Sequence, residues 1–159
     1  MITDKYAHEV GFWRMRFRED KGAFKNKHYK QLMLGMANEE NDNFLKGKVV
    51  VDFGCGPRGS LAWTQAPSVR LGVDVLVDYY MAFFGPAMLN HGMIYVKSTE
   101  NYIPIPSESV DVVISMNSMD HVENLDAMAA ECLRILKPGG SFIGSFNLNE
   151  PSSPTEPLT

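Results

Sequence analysis

Cysteine is scarce in this chain, and the little there is argues against two classes of protein. Cys55 and Cys132 lie far apart, with no C-x-x-C and no nearby histidine pair. Neither a disulfide framework nor a structural zinc site is expected, and no metal is assigned. Long hydrophobic runs are missing too. No apolar stretch reaches the roughly 18 residues of a membrane span, and the opening MITDKYAHEVGFW lacks the basic-then-apolar layout of a secretory signal. A cytoplasmic location with no membrane partner is the expectation. Positive charge is in deficit: 15 Lys and Arg face 19 Asp and Glu, for a formal net charge of -4. That balance argues against a nucleic-acid partner. One stretch runs the other way, WRMRFREDKGAFKNKHYK from Trp13 to Lys30, which is basic with interleaved aromatics. It reads as a partly solvated helical face rather than a patch for an anionic ligand.

What is present is enough for one globular domain with a real core, since 45% of the 159 residues are hydrophobic. Thr3 or Asp4 can cap a helix running to about Asp20, with Tyr6, Val10, Trp13 and Phe17 on one face. Asn26 is a candidate cap for a second helix presenting Tyr29, Leu32, Met33 and Met36, before the polar run 38–43 breaks the pattern. From Lys48 short β-branched runs take over: KVVVDFG, VRLGVDVL, MIYVK, VDVVISM and SFIGSF. Continuous rather than alternating apolarity implies strands buried on both faces, as in a parallel sheet. Between the fourth and fifth run, Leu125, Met128, Ala129, Cys132, Leu133 and Leu136 follow helical spacing, capped by Asn124 and stopped by KPGG. The pattern predicts an open, mainly parallel α/β sheet of about five strands with flanking helices. The domain organisation reads as a helical lead-in over 1–45, a sheet domain over 46–148 and a proline-rich tail over 149–159.

The stretch VVVDFGCGPRG, Val49 to Gly59, carries the chemistry. Its glycines fit G-x-G-x-x-G, and Gly54 and Gly56 allow a ligand close to the backbone. A pyrophosphate is held by free N–H groups and a helix N-terminus. Here Asp52 brings negative charge to the strand tip and Pro57 removes a donor. Both suit a cofactor with a sulfonium and an ammonium group better than a dinucleotide. Asp74, at the end of the second run, is placed for a ribose under either reading.

In order and spacing these blocks resemble the class I S-adenosylmethionine-dependent methyltransferases, whose sheet is Rossmann-like and doubly wound. The resemblance covers roughly Lys46 to Asn147: VVVDFGCGPRG, LGVDVL, STENYIPIPSESVDVVIS and LRILKPGGSFIGSF. It implies S-adenosylmethionine as cofactor and S-adenosylhomocysteine as product. Asp52, Gly54 and Gly56 would then line the methionine end, with Cys55 and Pro57 shaping the loop. Asp74 would hold the ribose and Val75 would pack on the adenine. Ser98, Thr99 and Glu100 fall in the adenine-side loop; Ser98 stands where the family often has an acid, which passes the amino contact to Glu100 or a backbone carbonyl. Asn117 would lie by the methionine portion.

Methyl transfer needs alignment, plus a base when the nucleophile carries a proton. His121, in NSMDHVEN after the fourth run, is the candidate base or acceptor contact. The acceptor is expected to be a small molecule or sugar-like; FKNKHYK and CGPRGSLAW resemble methyltransferases of surface-polysaccharide pathways. The family usually continues past its fifth strand into a hairpin, so a fragment or a compact version is expected. An open fifth-strand edge would favour a homodimer. A non-catalytic cofactor-binding module and a nicotinamide-dependent oxidoreductase are the alternatives; the second lacks a Ser-Tyr-Lys set.

Overall fold

A computed structural model describes residues 3–147; the proline-rich tail assigned to 149–159 lies outside the described residues. Strands β1 (Val49–Phe53), β2 (Val69–Asp74), β3 (Ile94–Lys97), β4 (Val110–Met116) and β5 (Leu136–Ser145) form one sheet in the order β3-β2-β1-β4-β5. Every pairing is parallel. The chain therefore starts in the middle, winds to one edge, then returns past β1 to the other. At that reversal, between β1 and β4, the crossovers leave to opposite faces and open a crevice at the carboxyl ends of the strands.

Period-two alternation divides the core. Val51, Phe53, Val73 and Val113 face one way and pack with Met128, Cys132 and Ile135. Val50, Val112 and Ile114 face the other way and pack with Met33, Leu45 and Leu61. The first set is covered by α4 (Leu125–Ile135), whose Asn124 cap accepts from the Ala127 N–H at 3.0 Å. The same helix holds the 103–107 loop: the Arg134 guanidinium donates to the Ile103 and Ile105 carbonyls, and Glu131 accepts from the Ile103 N–H.

The second face is covered differently from the expected strand, crossover helix, strand plan. No helix joins β1 to β2. The 15-residue link 54–68 carries three glycines and two prolines and forms turns only. The cover comes from Leu61 of that link together with upstream elements, α2 (Tyr29–Ala37) and a short 3₁₀ helix (Asp42–Leu45). Met33 and Leu45 are fully buried there. Asn26 does not cap α2; its side-chain amide donates to the Arg58 carbonyl at 3.3 Å, and α2 starts after His28 without a side-chain cap.

The first helix, α1 (Asp4–Glu19), begins as expected, with Thr3 accepting from the Tyr6 N–H. Its inner face packs on α3 (Val77–Leu89), a helix that Gly85-Pro86 conceals from sequence rules. Pro86 sits on the solvent side near the helix end. β5 starts at Leu136 rather than Ser141, because KPGG is looped out as a bulge between the pairs Val110–Leu136 and Val112–Ser141.

Candidate functional site

A cavity of about 710 Å³ lies at the carboxyl ends of β1, β2 and β4. Its walls include Asp52, Gly54, Cys55, Asp74, Val75, Ser98, Thr99, Glu100, Asn117 and His121. Ten of the twelve positions singled out from sequence thus meet around one space. Gly56 and Pro57 do not line it. They lie behind the wall: Gly56 (φ 55°) donates its N–H to Asp74 at 3.0 Å, and the Trp13 ring lies so close that an added Cβ would meet it at 2.8 Å.

The glycine loop is held by side chains where a following helix is missing. Gly54 (φ 71°) and Cys55 point their N–H groups at the Val73 carbonyl. The Ser118 hydroxyl donates to the Gly54 carbonyl at 3.2 Å, and a Cβ on Gly54 would meet Ser118 at 2.2 Å. Further along, Ser60 donates to Asp52, and Arg58 pairs with Asp20 at 2.7 Å.

Carboxylates dominate the electrostatics. Asp52 is 3% exposed, and burial pushes its carboxyl up to about 7, against the Ser60 hydrogen bond and with help from the negative charge of Asp74. Asp74 accepts from the Leu76 N–H at 2.9 Å and from Gly56. Burial still raises it to about 6, and Glu9 and Glu100 push the same way. All four acids line the one cavity. Such a site disfavours anions and rewards a cation, which would relieve both the desolvation and the mutual repulsion.

Three lining residues, Lys5, His8 and Glu9, escaped the sequence reading because they come from far along the chain. Lys5, Tyr6, His8, Glu9, Phe12 and Trp13 form a wall from α1. Tyr6 donates its hydroxyl to Glu100, and Lys5 stands 3.8 Å from the same carboxylate. His8 is a second cavity histidine beside His121, where sequence spacing had offered one. No local motif announces these residues; only the helical periodicity of α1, which brings Glu9 and Trp13 together through a 2.7 Å hydrogen bond, hinted at them. Asn117 (φ 49°) follows β4 in the left-handed region; its N–H donates to the Ser145 carbonyl and hydroxyl, and its side-chain oxygen accepts from that hydroxyl.

Comparison with known proteins agrees with this geometry. The family described as methyltransferase domain matches residues 51–144. An uncharacterised methyltransferase of Mycobacterium bovis is 30% identical over 64% of this chain and 40% of its own. A ubiquinone biosynthesis O-methyltransferase of Bradyrhizobium is 33% identical over 68% of this chain and 43% of its own. The crystal structure of an S-adenosylmethionine-dependent methyltransferase from Mesorhizobium loti superposes with a TM-score of 0.58 at 24% identity, over 70% of this chain and 51% of that one. The chain thus spans about 40% of the length of the curated relatives it matches. Sheet order, crevice and glycine loop coincide with a family match over more than half of the residues, and the chain belongs to the methyltransferase domain family.

Proposed function

We propose that the cavity binds S-adenosylmethionine and that the protein transfers its methyl group to a small organic acceptor. One observation carries the reading: Glu9, Asp52, Asp74 and Glu100 line the same space, Asp52 buried and the other three half-buried. When bound, S-adenosylmethionine supplies a methyl group activated by a positively charged sulfur. Asp52 is the carboxylate for the cationic end, and Asp74 keeps acceptor capacity for ribose hydroxyls beyond its two backbone donors. Ser98, Thr99 and Val75 offer the adenine wall. Gly54, Cys55 and Asn117 shape the methionine end. Against this charge pattern a dinucleotide pyrophosphate would meet carboxylates in place of donors.

For an acceptor whose nucleophile carries a proton, His121 is the base in this reading. Its Nε2 stands 4.0 Å from a carboxylate oxygen of Asp120, which is 4% exposed and finds no hydrogen bond among the described residues. The aromatic side chains of Tyr6, Phe12, Trp13 and Tyr29 in the walls favour an acceptor with apolar surface. The Bradyrhizobium relative, named for ubiquinone biosynthesis, is consistent with a small organic acceptor.

Calorimetric titration with S-adenosylhomocysteine and, separately, NADH tests the cofactor. Micromolar binding of the first and none of the second is the expected result; NADH binding alone would reverse it. We also propose that β5 pairs with a second copy. It forms a sheet edge, and Phe142 and Phe146 are 38% and 47% exposed there. Analytical ultracentrifugation should show a dimer, and a monomer mass at high concentration removes this idea.

A further inference from the structure

The basic stretch 13–30 takes no part in the cavity chemistry beyond Trp13 and Tyr29, yet the fold gives it a setting. Seven Lys and Arg face two acids there, in a chain whose net charge is -4. All seven are exposed. Beside them, α3 turns an apolar stripe to solvent. Tyr79, Phe83 and Leu89 are 39%, 47% and 75% exposed, with Ala82 and Pro86 between them, and Asp78 is the helix's lone charge. A surface helix of an isolated domain normally places charge on that face.

The basic and apolar features meet at Arg14. The Arg14 guanidinium lies 4.8 Å over the Phe83 ring, which joins α1 to α3. Met15, 48% exposed, extends the apolar part along α1. Next to Phe83 opens a groove of about 450 Å³ walled by Phe17, Phe24, Phe84 and Pro86. Lys21 and Lys25 flank the Gly22–Phe24 segment of its wall. Cations around an apolar stripe and groove match an interface where anionic headgroups sit above acyl chains. Nucleic acid would use the cations but has no partner for Met15, Leu89 or an apolar groove.

We propose that this α1–α3 face docks on an anionic phospholipid bilayer, with the α3 stripe and Met15 in the headgroup–acyl boundary and the 13–30 cations over the phosphates. This departs from the expectation of no membrane partner. No described helix is long and apolar enough to cross a membrane, and surface docking needs none. Two weak signals, apolar burial and charge, act together as stable peripheral binding requires. Phe12, 41% exposed, also lines the cavity, so docking brings the cavity to the membrane surface. That consequence rests on the proposed methyl transfer; docking itself does not.

Flotation of the full chain with vesicles tests the proposal without cofactor or acceptor. Vesicles of phosphatidylcholine containing phosphatidylglycerol should carry the protein at about 0.1 M salt and lose it near 1 M, where the Debye length shrinks to about 3 Å. Pure phosphatidylcholine should carry little. Met15→Ser with Phe83→Ser should weaken binding about tenfold or more while leaving the melting temperature near wild type, since both side chains are exposed. Arg18→Glu with Lys21→Glu should weaken it similarly. No flotation at low salt, equal binding to neutral vesicles, or undiminished binding by the serine variant would overturn the proposal. So would polyuridylate binding that displaces the vesicles and survives the serine changes.

Discussion

Asp74→Asn is expected to weaken S-adenosylhomocysteine binding by about 10-fold to 150-fold, the range for losing charge-assisted hydrogen bonds worth about 1.5–3 kcal/mol. Both carboxylate oxygens of Asp74 already accept backbone N–H groups, from Gly56 and Leu76, which fix the side chain at the mouth of β2. An asparagine can satisfy one of those donors with its oxygen but presents its own N–H₂ to the other. The loop carrying Gly56 loosens at the same time as the ribose acceptor loses charge. Isothermal titration calorimetry measures the effect. Asp78→Asn is the control, since Asp78 is 65% exposed and paired with Lys97 outside the cavity. An affinity for Asp74→Asn within threefold of wild type, with a normal melting curve, would remove Asp74 from the cofactor site and leave the cation argument to Asp52, Glu9 and Glu100.

Asp52→Asn should do two opposite things: stabilise the empty protein at alkaline pH and weaken its hold on a cationic ligand. The folded-state value of Asp52 is raised from 3.8 to about 7 by burial. Between those values the folded chain keeps a proton that the unfolded chain has lost. The carboxyl therefore subtracts stability as pH rises through that window, by up to about 1.4 kcal/mol per unit, and the loss levels off above it. Asparagine has no such dependence and can still accept from Ser60. The difference in melting temperature between variant and wild type should be near zero at pH 4 and grow to about 8–16 °C by pH 8, for roughly 4 kcal/mol in a domain of this size. Taking the difference matters because His28 and His91, held low by burial, titrate with the opposite sign. S-adenosylmethionine should lose more affinity than S-adenosylhomocysteine, whose sulfur is uncharged. A melting difference that stays flat across the pH range, or unchanged affinity for both ligands, would contradict the cation-binding role.

Much of this is legible in the sequence alone, for reasons tied to particular residues. The Val49–Gly59 block combines a buried strand, a strand-tip acid and glycines at φ 71° and 55°, so its local chemistry and its fold role coincide. α4 announced itself through an Asn124 cap and an apolar stripe that the structure buries at Met128 and Cys132. The illegible parts have physical causes. α3 is apolar all round and contains Gly85-Pro86, so periodicity had no contrast to detect and the dipeptide resembled a break. The helix missing after β1 reflects two prolines and three glycines within 15 residues, a composition equally compatible with the usual turn and helix. Glu9 and His8 reach the cavity because α1 packs on α3, a contact more than 60 residues apart in sequence that no local rule encodes.

The cover over the second sheet face has a consequence for modularity. The family match begins at residue 51, inside β1, but Met33 and Leu45 lie upstream of it with no exposed surface. Each such side chain contributes about 1.5–3 kcal/mol by burial. The folding unit of this chain therefore extends upstream of the stretch that the family match covers. The glycine loop and the upstream helices are coupled through Arg58–Asp20 and Asn26–Arg58 as well. Recombination at the family boundary would therefore split a cooperative unit, and the lead-in and the cofactor loop are obliged to diverge together.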